Sequence, residues 1–350
     1  MAGTFSYSNP RVIHWGAGSL AQLGPELMRL KAQRIALVTT RSLVAEEKLL
    51  AGVKAAMGGA GVVMVCTVGQ HAPLLEVDAA VAQAGDSVDG VVSFGGGSAI
   101  DAAKMIAVRV ADRAGAADRA LPHVAIPTTL SAAELAAGAG YTNESGDKAG
   151  MRDGRLLADA VIYDAAVTLA TPMELWLSTG IRALDHAVEG FLAEGEHPLN
   201  DVLALEAIRR LLDSLPRAKA APQDLDVRTE NQLAAWFSFT LPGPTAGGLS
   251  HVMGKQIGAR HHIPHGVTSC LLMPHVMRFF EYSSPERMSQ LEKAFGDEPA
   301  GVVQRFIASL GLPQHVAAYG IGEPELRKAA SELAGKYSAD DLSGIYLAAL

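Results

Sequence analysis

A series of short, almost wholly apolar and β-branched runs, each followed by a stretch with helical spacing, dictates the architecture of the first half of this chain. Arg11–Gly16 reads as a short strand that turns through Gly18 into a helix over Ser19–Leu30. Arg34–Thr39 (RIALVT) reads as a buried strand, followed by a helix over Ser42–Met57. Gly61–Val68 (GVVMVCTV) is the next strand and Glu76–Ala84 the next helix. Val88–Phe94 (VDGVVSF) then runs through Gly95-Gly96-Gly97-Ser98 into a helix over Ala99–Val110. His123–Pro127 (HVAIP) and Ala160–Tyr163 complete the strands, and the polar, Gly-rich segment Asn143–Arg155 between them reads as a hairpin or loop. Strands that alternate with helices and are nearly continuously apolar imply a parallel sheet covered on both faces. The expected first domain, residues 1–168, is therefore a doubly wound, mostly parallel α/β domain.

From Pro172 onward the period changes. Glu174–Glu194, Asn200–Ser214, Val227–Leu241, Gly248–Arg260, Ser269–Glu281, Pro285–Ala294, Pro299–Leu310 and Glu323–Gly335 all read as helices, with no convincing strand among them. Residues 169–350 are expected to form an all-helical domain. A length of 350 residues suits two domains better than one core.

Composition narrows the function class. Net charge is −8 and the pI near 5.8, which excludes a basic nucleic-acid-binding surface. Cys66 and Cys270 are far apart in apolar surroundings, which suits a reducing compartment without disulfides. The opening MAGTFSYSNP shows no secretory signal, and no apolar run is long enough for a bilayer. A cytoplasmic enzyme or binding protein acting on small molecules, without membrane or nucleic-acid partners, is the expectation.

Two stretches carry chemistry. Gly95-Gly96-Gly97-Ser98 lies between a buried strand and a helix whose first turns hold Asp101. Glycines there let backbone approach a pyrophosphate, free N–H groups and the helix dipole face the anion, and Ser98 is placed to cap the helix or donate to phosphate. The spacing is not the usual dinucleotide fingerprint, so an unliganded turn is the competing reading. The second stretch, Gly247–His275, concentrates His251, His261, His262, His265 and His275. Imidazole serves both metal ligation and proton transfer near neutral pH.

Together these pieces resemble the iron-containing alcohol dehydrogenase family. GGGSAIDAAK (Gly95–Lys104) is similar to the family's phosphate loop, and PHGVTSCLLMPHVMRF (Pro264–Phe279) to its histidine-rich signature. LVTTRSL (Leu37–Leu43), AIPTT (Ala125–Thr129), VIYD (Val161–Asp164), TGIRALDHAVEG (Thr179–Gly190) and NDVLALEAI (Asn200–Ile208) agree in order. The resemblance implies a nucleotide domain, a helical domain, and hydride transfer between NAD(P)H and a carbonyl or alcohol in the cleft between them. In metal-dependent members an Asp and three His hold Fe²⁺ or Zn²⁺. The three His fall on His186, His251 and His265, but the Asp position is Arg182, and a further active-site His position is Lys255.

Those departures set the expectation for mechanism. An arginine has no lone pair for a metal, and two cations beside a divalent ion repel it. Asp185 is judged a poor substitute ligand, rotated away from the Arg182/His186 face. The maleylacetate reductases, a subgroup with Asn at the Asp position, are similar in length and in the short PTTLSAAEL segment (Pro127–Leu135) with Glu134. They keep a histidine where Lys255 stands and have PHAE where this chain has PHGV. Arg182 and Lys255 are accordingly expected to replace the metal electrostatically, with His251 or His265 as general acid. The alternatives for Arg182 are a bidentate clamp on a substrate carboxylate, or a buried pair with Asp185, Glu189 or another acid that never meets substrate. His261 and His262 read as solvated or packing residues, and His275 as a structural hydrogen-bonding one.

For the cofactor, Thr40 stands where an acid holds the adenosine ribose in NAD-preferring sites, and Arg41 follows it. That pairing tolerates a 2′-phosphate, so NADPH is expected to be accepted, alongside or instead of NADH. The resemblance adds Thr128, Thr129 and Lys148 to the cofactor-facing residues. The leading reading is an NAD(P)H-dependent, metal-independent reductase of an aldehyde, ketone or maleylacetate-like keto acid, acting as a homodimer. The alternatives are an Fe- or Zn-dependent alcohol dehydrogenase, and a nucleotide-binding protein that has lost catalysis.

Overall fold

The computed structural model describes residues 10–195, 197–239 and 248–350. Strands β1 (Val12–Trp15), β2 (Arg34–Thr40), β3 (Gly61–Val68), β4 (Gly90–Gly95), β5 (His123–Pro127) and β8 (Ala160–Tyr163) form a parallel sheet in the order β1-β8-β5-β4-β2-β3. Strands β6 (Gly138–Thr142) and β7 (Lys148–Arg152) pair as a separate antiparallel hairpin, so the segment read as hairpin or loop is a hairpin. Helices α1 (Leu23–Arg29), α2 (Arg41–Ala45), α3 (Glu47–Ala56), α4 (Leu74–Ala84) and α5 (Gly97–Arg113) connect the strands. The helix expected over Ser42–Met57 is broken at Glu46, whose ψ of 66° leaves the helical region.

The strand sequences explain the two layers. Along β2, Ile35 and Leu37 join one buried cluster with Leu23, Leu27, Phe94 and Ile126, while Ala36 and Val38 join the opposite one with Val77, Ile106 and Met105. Successive side chains point to opposite faces, so a strand buried on both must be apolar throughout. Edge strand β3 departs from this. Its Met64, Cys66 and Val68 face inward, but Val63 and Val65 are 47% and 37% exposed. From β2 the chain proceeds outward to β3, and from β4 it proceeds the other way to β5. The carboxyl ends of β2 and β4 therefore flank the switch point where open α/β sheets bind ligands.

Beyond Pro172 the described residues contain helices and no strand: α6 (Met173–Phe191), α7 (Pro198–Ala220), α8 (Leu225–Ser238), α9 (Leu249–Arg260), α10 (His265–Ser283), α11 (Pro285–Phe295), α12 (Pro299–Ser309), α13 (Glu323–Leu333) and α14 (Ala339–Ala348). The expected end of the third of these at Leu241, and Gly247 at the head of the histidine run, lie outside the described residues. Helix α14 was not expected. It buries Leu342, Ile345 and Tyr346 against α9, α10 and α13, and the Ser338 hydroxyl caps its start by accepting from Asp341 N–H.

The chain divides into two compact units, one spanning 7–172 with Gln223–Leu233, the other Met173–Pro222 with Ala234–Leu350. Buried Arg228 accounts for the excursion, since its guanidinium donates to the Thr168 carbonyl and hydroxyl at 3.0 and 3.1 Å. Within the second unit, α6 is buried on every side from Trp176 to Phe191. A helix buried all round is ordinarily apolar all round; this one carries Arg182, Asp185, His186 and Glu189.

Candidate active site

In the α/β unit, the turn after β4 has the geometry expected of a phosphate cradle. Gly96 is the N-cap of α5 in extended conformation, so the first N–H groups of the helix have no partner within it. A Cβ on Gly96 would sit 2.9 Å from Thr129 Cγ2, which holds the turn bare against the loop after β5. Thr128 N–H donates to the Gly95 carbonyl at 3.0 Å, and the Thr171 hydroxyl donates to the Thr128 carbonyl at 2.7 Å. These features fit a bound pyrophosphate: backbone donors at a helix N-terminus with no side chain in the way.

Ser98 is not a helix cap. Its Oγ instead accepts from His71 N–H at 2.8 Å. Asp101 Oδ2 accepts from Gly140 N–H at 3.0 Å, which ties α5 to the β6–β7 hairpin. Burial raises the Asp101 carboxyl, opposed by the nearby Lys104 ammonium. Lys104 is itself a buried post, donating to the carbonyls of Ala133, Ala136 and Gly138 at 2.5, 2.8 and 2.8 Å. Lys148 on β7 donates from Nζ to His71 Nδ1 at 2.7 Å. At the end of β2, Thr40 Oγ1 lies 3.0 Å from Ser42 Oγ, and the Arg41 guanidinium is 81% exposed and 3.7 Å from Glu76.

In the helical unit, Arg182 is not open to solvent. Only 2% of its side chain is exposed, and Nη1 donates to Asp185 Oδ2 at 2.8 Å and to Ser269 Oγ at 3.1 Å. The same carboxylate oxygen accepts from Ser250 and Ser269 hydroxyls at 2.9 and 2.6 Å. Arg182 and Asp185 thus form a buried pair, and the expectation that Asp185 is rotated away from Arg182 is corrected. Positions three apart on a helix differ by only about 60° in azimuth, within reach of an arginine. Arg182 Nε and Nη2 have no hydrogen-bond partner among the described residues. Burial raises the Asp185 carboxyl, while Arg182 and the two serines pull it back down.

His186, one turn after Arg182, is buried with its ring edge-on to Phe239 at 5.0 Å, and its Nδ1 has no partner among the described residues. Burial first, then the Arg182 charge, holds it well below the usual histidine range, so it is a neutral imidazole. His251 on α9 and His265 at the start of α10 stand with ring centroids 5.0 Å apart and planes at 85°. Lys255 is half-buried one turn beyond His251. His275 is buried and lies 3.5 Å from Arg278 Nη1; burial pushes it down to about 4. His261 is half-buried and His262 exposed.

Sequence reasoning did not single out Glu189 as part of the site. Its Oε1 accepts from His251 N–H at 2.9 Å, and the carboxyl also takes N–H bonds from Gly248 and Ser250. Glu189 on α6 therefore caps α9, the helix that carries His251 and Lys255. Gly248 is obligatory there, because a Cβ would meet the Glu189 carboxyl at 2.7 Å. Gly266 has an equivalent steric reason: its Cβ would lie 2.7 Å from the Ser178 carbonyl. The glycine of the PHG motif is what lets α10 and α6 pack at backbone contact.

Among the described residues no group of three or more His, Cys, Asp or Glu side chains is arranged to hold a metal ion. The Asp185 carboxylate oxygen is already shared among Arg182, Ser250 and Ser269.

A fold of this kind with such a histidine-bearing helical unit defines a class, and the sequence matches that class directly. The family models "Iron-containing alcohol dehydrogenase" and "Fe-containing alcohol dehydrogenase family, C-terminal" match residues 10–165 and 176–339. The chain belongs to the iron-containing alcohol dehydrogenase family. Within it the chain is maleylacetate reductase-like: it is 33% identical over 322 residues to the maleylacetate reductase of Pseudomonas sp. (strain P51), covering 91% of this chain and 88% of that one. The crystal structure of maleylacetate reductase from Rhizobium sp. strain MTP-10005 superposes with a TM-score of 0.87 at 28% identity, covering 100% and 99% of the two chains. An iron-containing alcohol dehydrogenase from Corynebacterium glutamicum gives 0.85 at 28% identity, covering 100% and 98%. The protein is an oxidoreductase. No helix among the described residues is long and apolar enough to cross a membrane.

Proposed function

We propose that this protein is an NAD(P)H-dependent reductase of a carbonyl substrate, with maleylacetate or a related keto acid as the first candidate, and that it works without a catalytic metal. The observation that carries the metal-free reading is the placement of Arg182. The resemblance puts Arg182 at the family's metal-binding Asp position, and its pairing with Asp185 occupies the neighbouring acid, which supports the reading. A bound nicotinamide supplies the hydride. The residues of the helical unit answer the charge that develops on the carbonyl oxygen: Arg182 contributes positive field and the unpartnered Nε and Nη2 donors, and Lys255 a second cation. Neutral His186 can hydrogen-bond without adding charge, and His251 or His265 returns the proton.

Elemental analysis of purified protein, with maleylacetate reduction measured before and after chelation, tests this. No stoichiometric Fe or Zn and an unchanged rate are expected; a bound metal needed for turnover overturns it and favours a set built on His186, His251 and His265. For the nucleotide, Thr40 and the exposed Arg41 support acceptance of NADPH. A cytoplasmic homodimer remains part of the reading, and light scattering on the purified protein checks the dimer.

A further inference from the structure

His71 lies in the loop between β3 and α4, away from the phosphate motif in sequence, yet it bonds both Ser98 of that motif and Lys148 of the β6–β7 hairpin. Its backbone N–H donates to Ser98 Oγ at 2.8 Å, and its Nδ1 lies 2.7 Å from Lys148 Nζ. An ammonium can only donate, so Nδ1 is the acceptor and the ring is held as the tautomer protonated on Nε2. Ser98 Oγ already accepts from His71, which leaves its own O–H to point elsewhere as a donor.

The backbone here is strained. His71 has φ 66° and Ala72 φ 48°, two consecutive non-glycine residues in the left-handed region. A glycine would take the same conformation without strain. Strain of this kind persists where surrounding contacts impose it, and it concentrates at binding sites. The contacts that impose it are the Ser98 and Lys148 bonds, with Thr142 Oγ1 3.5 Å from the His71 carbonyl and Pro73 bridged to Thr142. Through them one residue links the β3–α4 loop, the start of α5 and the β6–β7 hairpin.

We infer that His71 is a positioning residue for the nucleotide: it orients the Ser98 hydroxyl as a donor toward the pyrophosphate and aims the Lys148 ammonium by holding it on a neutral imidazole. The inference rests on the reading of the Gly95–Ser98 turn as the NAD(P)H site. It adds a residue outside the glycine motif that sets how tightly that site holds its ligand.

Binding of NADH and NADPH to purified protein, followed by nucleotide fluorescence, tests it together with melting of the nucleotide-free protein. His71→Gly keeps the backbone donor and relieves φ but deletes the ring. It is expected to melt no lower than wild type yet bind nucleotide about tenfold more weakly, the scale of one charge-assisted hydrogen bond. His71→Asn retains a side-chain acceptor and tolerates the left-handed backbone, and should recover most of the affinity. Lys148→Met should weaken binding as well, and the His71→Gly/Lys148→Met double variant should lose less than the two single losses combined. Additive losses, or His71→Gly binding like wild type, overturn the inference. Wild-type protein that binds neither nucleotide overturns the underlying reading of the turn instead.

Discussion

Arg182 Nη1 and Asp185 Oδ2 lie 2.8 Å apart within one turn of a helix that is buried on every side. The pair is buried among α6, α9 and α10, where Ser250 and Ser269 also donate to the Asp185 carboxylate. A buried pair is costly to break from one side, because the survivor keeps a charge with no partner. Arg182→Ala and Asp185→Ala are each expected to lower unfolding free energy by about 3–5 kcal/mol. The double change Arg182→Met/Asp185→Leu should cost clearly less than either single change. Urea unfolding of the three variants checks this, and additive losses would contradict a coupled pair.

The proton count of Glu189 makes stability depend on pH. Burial and the Asp185 charge push its carboxyl well above the usual range, against the pull of Arg182 and the α9 backbone. A carboxyl raised on folding binds more protons in the folded state, so its contribution is complete below the ordinary carboxylate range. It is lost as pH rises toward the raised value. Glu189→Gln keeps an acceptor for the Gly248, Ser250 and His251 amides and removes this titration. Its melting temperature should fall less than wild type between pH 5 and pH 8, a window set by carboxylate values of about 4.3 upward. Glu189→Ala removes the cap as well and should lose about 1–2 kcal/mol at any pH.

Gly266 tests whether α6 and α10 must touch at backbone. Gly266→Ala forces its Cβ against the Ser178 carbonyl. The expected loss is about 1–3 kcal/mol by overpacking. Because His265 is its neighbour, kcat should fall with nucleotide affinity unchanged. Unaltered melting would show that the two helices part without strain.

On the proposed NAD(P)H reading, nucleotide choice is expected to turn on the end of β2. Thr40→Asp restores an acid that prefers free ribose hydroxyls, and Arg41→Glu also removes a cation suited to a 2′-phosphate. The double variant should shift the NADPH-to-NADH ratio of kcat/KM toward NADH by about 10- to 100-fold, the worth of one or two charge-assisted contacts. Arg41 is only 3.7 Å from Glu76, so Glu76→Gln should move the ratio modestly the other way.

Much of this was legible in the sequence, for definite reasons. Strands such as Arg34–Thr40 are apolar at consecutive positions because both faces are covered, and that pattern survives without coordinates. The histidines could be placed because helical spacing and motif spacing agree. What escaped depends on which chain segments meet. The Arg182–Asp185 pair is joined by Ser250 from α9 and Ser269 from α10, and no spacing rule brings those three helices together. Glu189 is legible in the sequence only as a possible partner for Arg182, and its part in starting α9 depends on where that helix packs. His71 offered a signal in the dipeptide before Pro73, a turn context, but nothing local assigns it a left-handed backbone. Gln223–Leu233 belongs to the α/β unit, with Arg228 donating to Thr168 there, which periodicity does not report.

Placing an acid at position 182 is not an isolated change for this helix. Arg182→Asp alone would leave an acid at 182 beside Asp185 and Glu189, all on one buried helix from which the neutralising cation has gone. Buried carboxyls without a cation coexist only by taking up protons, so this single change is expected to lower stability unless Asp185 is changed with it. Changing Asp185 in turn leaves the Ser250 and Ser269 hydroxyls without their acceptor. The charge at position 182 is therefore tied to three other side chains on three helices, and none of the four can be exchanged alone without a cost to folding.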